Sequence, residues 1–367
     1  MPPQAIGEAV FRARQAGALA ALAEAGGEVL LVTRPENCTY LTGFTGEGGT
    51  VFLSPEGAWL LTDFRFLEAA REEVKAATPV HQEGSWLAAV AGFVAEQAWA
   101  SVVVEGHHLS YQRFQELAAK LAPVQVIARA GLIEQLRRVK GPEEIALLRQ
   151  AARLTDAAFE HILGLIRPGV TEKELALELD YFLGKQGADA PAFPTIVAAG
   201  PRAARPHAVP AWHAVRAGEL VLLDFGAVWG GYHADLTRTV AVGYAGEKER
   251  EVYAVVRAAQ EKALEAMRPG KTCAEIDAVA REEIARAGYG EHFGHRLGHS
   301  VGLAVHEEPS LGRGEETMLA PGMVFTVEPG IYLSGWGGVR IEDLVLVTPE
   351  GVEVLSRASR EFLVVGR

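Results

Sequence analysis

Hydrophobic and polar positions in the first third of the chain alternate between helical and strand periods. An amphipathic pattern over residues 5–24 predicts a helix, and the apolar run after it predicts a strand over Glu28–Thr33. Strand-like runs at Thr50–Leu53 and Ala58–Thr62 flank Ser54-Pro55-Glu56-Gly57, a turn sequence. A helix is expected to begin near Asp63, and Ser101–Val104 reads as a buried parallel strand. Together these elements describe a small α/β domain over residues 1–130. Residues 131–142, with the basic run Arg137-Arg138-Val139-Lys140 and a Gly141-Pro142 break, read as a linker whose basic side chains are solvated. A long helical pattern from Glu143 opens a second domain, 143–367.

The second domain repeats itself. Arg167-Pro168-Gly169 followed by Thr171 and Glu174 matches Arg268-Pro269-Gly270 followed by Thr272 and Glu275, 101 residues later. In each copy Thr precedes Glu by three, the capping box that opens a helix. Gly187 answers Gly288 at the same offset. Two further stretches, 218–235 and 322–342, read as hairpins with carboxylates at matching places: Asp224 answers Glu328, and Asp235 answers Glu342. Each copy therefore runs helix, Pro-Gly turn, capped helix, hairpin. The expected class is α+β, a pseudo-twofold unit with helices outside a curved antiparallel sheet, joined to the smaller α/β domain.

The acids carry the chemistry. Asp224 interrupts the apolar strand Leu220–Phe225, and Asp235 is expected beside it at the same height on the returning strand. Four converging carboxylates would raise one another's pKa values unless cations neutralise them, and two divalent ions would do so. The alternative is that Asp224 and Asp235 flank a turn and pair with Arg238 and Arg340. The repeat favours the metal. His299, within the glycine-rich segment 294–302, would add one nitrogen to a set of oxygens. That donor set suits Mn²⁺ first, with Co²⁺ or Zn²⁺ as alternatives.

Bulk properties narrow the setting. The net charge is −12 over 367 residues, which argues against a nucleic-acid surface. There are 27 Arg to 8 Lys and a single Asn, a balance that fits a heat-adapted source or a GC-rich genome equally well. Cys38 and Cys273 make neither a disulfide framework nor a clustered-cysteine zinc site. Charges at Glu8, Arg12 and Arg14 break any signal-peptide core, and the apolar run 87–95 is too short to cross a bilayer. A cytoplasmic protein with no membrane partner is expected.

Asp224, Asp235 eleven residues on, His299 in Gly-His-Ser-Val-Gly-Leu, Glu328 in Val-Glu-Pro-Gly and Glu342 in Val-Arg-Ile-Glu-Asp resemble the five-ligand signature of the pita-bread metallopeptidases. The resemblance spans 143–367. The N-terminal phrases Asn37-Cys38-Thr39-Tyr40-Leu41-Thr42-Gly43-Phe44 and Thr62-Asp63-Phe64-Arg65 are similar to the creatinase/prolidase-like, proline-peptidase branch rather than to the methionine aminopeptidases.

The resemblance implies two divalent ions, with Asp224 on one, His299 on the other, Asp235 and Glu342 bridging, and Glu328 completing the set. It implies Glu328 as the acid/base carboxylate, His306 as the histidine that stabilises the developing oxyanion, and His207 as a second catalytic histidine facing substrate. Arg340 would support a metal carboxylate and line the substrate side, and His295 is a further candidate for substrate contact. His213 reads as a surface or packing residue, His233, alternating with Asp235 on one strand, as a same-face neighbour of the metals, and His292 as pocket-shaping. The implied activity is hydrolysis of the Xaa-Pro bond at the N-terminus of short proline-containing peptides, an Xaa-Pro aminopeptidase, by a homodimer. The alternative is an Xaa-Pro dipeptidase. Several dipeptidases of the family carry Arg four residues after the histidine matched by His306, and here that residue is Ser310; Arg202, Arg205 or Arg313 would have to clamp a dipeptide's carboxylate instead. A remoter alternative is a catalytically silent peptide-binding module.

Overall fold

The computed structural model describes residues 6–366. The chain divides between Arg137 and Arg138 into two compact units. The first is an α/β unit built on one six-stranded sheet, in the order Thr78–His81, Gly57–Thr62, Thr50–Ser54, Val29–Val32, Ser101–Glu105, Gln125–Arg129. The expected hairpin closes with Ser54 opposite Gly57, and Val29–Val32 runs parallel to Ser101–Glu105. The first helix is Glu8–Ala25; residue 5, where the pattern began, lies outside the described residues.

Three features depart from the sequence reading. The helix expected from Asp63 is Leu67–Glu73, because Asp63 Oδ1 accepts the Arg65 backbone N–H at 2.9 Å and holds the chain in a turn. Pro35–Thr42 is a helix that periodicity did not reveal. The stretch 131–142 holds the short helix Glu134–Arg137, and two of its basic residues are buried rather than solvated. Arg137 donates to Asn37 Oδ1 at 2.7 Å, and Lys140 reaches into the second unit's interior.

The second unit shows the repeat in its backbone. In the first half, helices Pro142–Leu163 and Glu172–Lys185 cover a sheet ordered Val364–Val365, Leu236–Val242, Leu220–Phe225, Ile196–Ala199. In the second, helices Glu247–Ala266 and Cys273–Arg286 cover Glu307–Leu311, Gly298–Ser300, Val324–Val327, Asp343–Val347, Val352–Val354. Thr171 and Thr272 each accept the N–H three residues on while Glu174 and Glu275 reach back. Each threonine also makes a single antiparallel bridge, to Ala214 and Met318 respectively.

Each half has its own apolar core. Leu154, Phe159, Leu179 and Leu183 pack on Val221, Leu223 and Val240 in the first; Val256, Ile276 and Ile284 pack on Phe325, Val327 and Val345 in the second. Burial of each such side chain stabilises the fold by about 1.5–3 kcal/mol. Among the described residues no helix is long and apolar enough to cross a membrane.

Candidate metal centre

The two hairpins bring their acids together from opposite halves. In the first, Phe225 pairs with Leu236 and Asp224 with Thr237. Asp235 is therefore not level with Asp224, as expected, but displaced by two residues on the same face, a diagonal neighbour. In the second, Val327 pairs with Asp343, so Glu328 and Glu342 leave the ladder side by side. Gly226 allows the first arrangement: a Cβ there would fall 1.8 Å from the Ala234 carbonyl oxygen. Gly298 does the same for His299, since a Cβ would lie 2.0 Å from the Thr326 carbonyl oxygen.

Asp235, His299 and Glu342 each offer a ligand atom within 4.8 Å of the others. Glu328 joins them, with Oε1 3.5 Å from His299 Nε2, and Asp235 Oδ2 lies 3.6 Å from the same nitrogen. His299 Nδ1 faces the Ser300 carbonyl at 3.1 Å, which places the proton on Nδ1 and leaves the Nε2 lone pair toward the carboxylates. Asp235 Oδ1 and Glu342 Oε1 are buried with no hydrogen-bond partner. Two orphaned carboxylate oxygens beside an available imidazole lone pair fit a bound cation.

Asp224 stands slightly apart, in an ion pair with Arg340 Nη2. The turn-flanking alternative is thus half realised: Arg340 takes Asp224, but Arg238 is spent on Asp343 and backbone carbonyls and leaves Asp235 unpaired. Burial, then the charges of Glu342, Asp224 and Glu328, hold the Asp235 carboxyl well above its ordinary range. Burial and then Glu328 and Asp224 do the same to Glu342. Burial raises Glu328 to about 7 against the opposing pull of Arg340.

Of the other histidines, His306 lies beside this cluster. His306 is exposed, its ring centroid 4.3 Å from that of His299. Burial lowers its pKa, with the charge of Asp224 opposing the shift and that of His207 adding to it. His207 is exposed and near enough for its charge to act on both His306 and His295. His295 is lowered to about 4, chiefly by burial. It shares Tyr332 with Arg340: His295 Nε2 and Arg340 Nη1 each lie 2.9 Å from the Tyr332 hydroxyl. His213 lies by Glu219 at 3.7 Å, and His233 faces the Gly302 carbonyl at 3.3 Å. His292 is exposed on a 3-10 turn.

Three residues escaped the sequence reading. Thr237 donates to Glu342 Oε2 at 2.5 Å and accepts from Arg340 Nε at 2.9 Å. Thr326 donates to Glu328 Oε1 at 3.1 Å and accepts the His299 N–H at 3.0 Å. Tyr332 is the third. A signal for the threonines was present, since each lies two residues from a candidate ligand and hence on the same strand face. Of the proposed carboxylate clamps, Arg202 is engaged with Glu172 at 2.9 Å and is withdrawn from that role. Arg296 instead donates to Ser310 Oγ at 3.0 Å.

Comparison with known proteins agrees with this architecture. The model of "Metallopeptidase family M24" matches residues 146–349, and that of the "Creatinase/Prolidase N-terminal domain" matches 14–139. The Xaa-Pro dipeptidase of Pyrococcus furiosus is 37% identical over 91% of this chain and 94% of its own length. The structure of an Xaa-Pro dipeptidase from Bacillus anthracis superposes with a TM-score of 0.93, at 40% identity, over 97% of this chain and 100% of that one. An X-Pro aminopeptidase from Thermotoga maritima gives 0.87 at 35% identity, over 94% and 100%. By its repeat, its two domains and these matches, the chain belongs to metallopeptidase family M24, on the creatinase/prolidase-like side.

Proposed function

We propose that the protein is a metal-dependent Xaa-Pro dipeptidase, with Asp224, Asp235, His299, Glu328 and Glu342 holding two divalent ions. The observation that carries the metal reading is the buried group Asp235, His299 and Glu342, whose unpaired oxygens and free imidazole lone pair ask for a cation. When bound, the ions supply Lewis acidity that makes water a better nucleophile near neutral pH and polarises the scissile carbonyl. Mn²⁺ is the proposed ion and a homodimer the proposed assembly; metal analysis and light scattering check these.

The chain's own residues do the rest. Glu328, whose Oε1 lies 3.5 Å from His299 Nε2, is placed to take a proton from the attacking water and pass it to the imino nitrogen of proline. His306 can donate a ring N–H to the developing oxyanion. His207 and His295 flank the same face and orient the substrate. Arg340 balances Asp224 and keeps Tyr332 against His295. Proline has no N–H and a fixed φ, so the pocket must accept a rigid leaving group without donors.

For a dipeptide the C-terminal carboxylate needs a cation. Ser310 supplies none, but the Arg296 guanidinium sits on its hydroxyl at 3.0 Å and can take that place. Dipeptidases among the relatives support the same choice. The activity on longer peptides expected first from the sequence is the second reading, favoured by Ser310 itself and by the Thermotoga maritima aminopeptidase. Metal-loaded protein should cleave Ala-Pro faster than Ala-Pro-Ala, and chelation should abolish both activities. Preference for the tripeptide would reverse the choice, and no cleavage of either would defeat the proline assignment.

A further inference from the structure

Lys140, the last basic residue of the 137–140 run, turns into the second unit's core, and nothing in the chemistry above uses it. Its side chain is 1% exposed and that of Glu307 6%. Lys140 Nζ donates to Glu307 Oε2 and to Ser300 Oγ, both at 3.1 Å. Its own backbone N–H donates to the Gly322 carbonyl at 2.8 Å, which fixes the lysine's root at the start of the second hairpin. Ser300 is the residue after His299, and Glu307 is the residue after His306. One ammonium therefore grips both ends of the loop that joins the candidate metal histidine to the candidate oxyanion histidine.

The loop is shaped around this grip. Glu307 Oε1 accepts the Ala304 N–H at 3.2 Å, closing the loop on itself. A Cβ on Gly302 would strike the Glu307 carboxylate at 2.6 Å, so a glycine at 302 leaves room for it. The opposite flank is tied by the His233 N–H, which donates to the Gly302 carbonyl at 2.9 Å. Ser300 Oγ in turn donates to the Val324 carbonyl at 2.9 Å. His306 itself projects from this frame into solvent-accessible space. Its position over His299 is thus inherited from Glu307, and that of Glu307 from Lys140.

We propose that the buried Lys140–Glu307 pair is a positioning device for His306, which sets the distance between the two histidines and so the transition-state contact made by His306. The proposal rests on the reading of His306 as a group that acts on substrate. The charge pair also explains how a fifth carboxylate is tolerated beside a cluster of acids: Glu307 is neutralised by its own lysine and does not compete for a cation.

Removing Lys140 alone strands a buried carboxylate and threatens the fold, so the test neutralises both partners, Lys140→Met with Glu307→Gln, which leaves a neutral and folded pair. In otherwise wild-type protein loaded with Mn²⁺ and assayed on Ala-Pro, the double variant should lose about 10- to 100-fold in kcat, while KM and metal content stay within about twofold, the pattern of a lost transition-state contact. In a His306→Ala background the same double substitution should cost less than about twofold, because the contact it positions is already gone. Equal losses in both backgrounds, or a loss of metal that accounts for the loss of rate, overturn the proposal. A His306→Ala protein with undiminished kcat overturns the role of His306 and the proposal with it.

Discussion

The two halves of the catalytic unit share a backbone plan and divide the chemistry unequally. Ala199 pairs with Val221 in the first half as Ser300 pairs with Phe325 in the second. The residue before each is then Ala198 in one copy and His299 in the other. A buried methyl group stands where the imidazole stands, so among the described residues the nitrogen donor of the candidate set comes from one half. What the halves do share is the holding of one another's acids. Thr237 of the first half binds Glu342 of the second, and Arg340 of the second pairs with Asp224 of the first. Thr239 Oγ1 also donates to the Arg340 carbonyl at 3.0 Å. The site therefore belongs to the seam, and neither half alone contains it.

The loops carrying His207 and His306 follow the same logic. After Ala199 the chain enters a turn that leads to His207; after Ser300 it enters the loop that ends at His306. Each is held by a buried carboxylate with a cationic partner. In the first half it is Glu172, which takes Arg202 Nε at 2.9 Å and the Ala199 and Ala211 N–H groups at 2.8 and 2.9 Å. In the second it is Glu307 with Lys140.

The largest effect should come from breaking the seam. Asp235→Ala removes a first-half acid and Glu342→Ala a second-half acid; each should lose about 10³-fold or more in kcat together with bound metal, on the scale of losing a preorganised electrostatic stabiliser. Activity and metal retained in the Asp235 variant alone would mean that the second half suffices. A smaller effect concerns Glu328. Its pKa is about 7 in the fold against an ordinary 4.5, so its contribution to stability is complete below about pH 4.5 and is lost as pH rises through 7. In metal-free protein, urea titrations should show Glu328→Gln gaining on wild type across that window, by about 3 kcal/mol at most. A gap that does not change with pH would contradict the assignment. The smallest effect tests the symmetry itself. Thr171→Ala and Thr272→Ala each delete a helix cap and should each cost about 1 kcal/mol, read as a shift in urea midpoint. Costs differing by much more than that would show that the twinned caps are not equivalent.

Much of this was legible in the sequence wherever contacts are local. The capping boxes at Thr171 and Thr272 depend on residues three apart, and the hairpin acids depend on strand period, so both could be read directly. The α/β character of the first unit came from alternation alone. Legibility failed where a side chain's partner lies far along the chain. Nothing near Lys140 announces that it will meet Glu307, and a basic run beside a Gly-Pro break reads naturally as solvated. Arg296 escaped for the same reason, because it meets Ser310 only across the strand pair that carries His299. The two-residue displacement of Asp235 from Asp224 depends on where the ladder starts, which the pattern of apolar residues leaves open.

The glycines at 226 and 298 have a consequence for how such a chain can change. Gly92 and Gly184 have no neighbour within 4 Å of a would-be Cβ, so a side chain could be added there at little steric cost. At 226 and 298 the neighbour is a backbone carbonyl, which cannot swing aside as a side chain can. Drift is open on the surface and closed at the seam, and the width of the gap between the acids is a property of main chain against main chain, out of reach of core repacking.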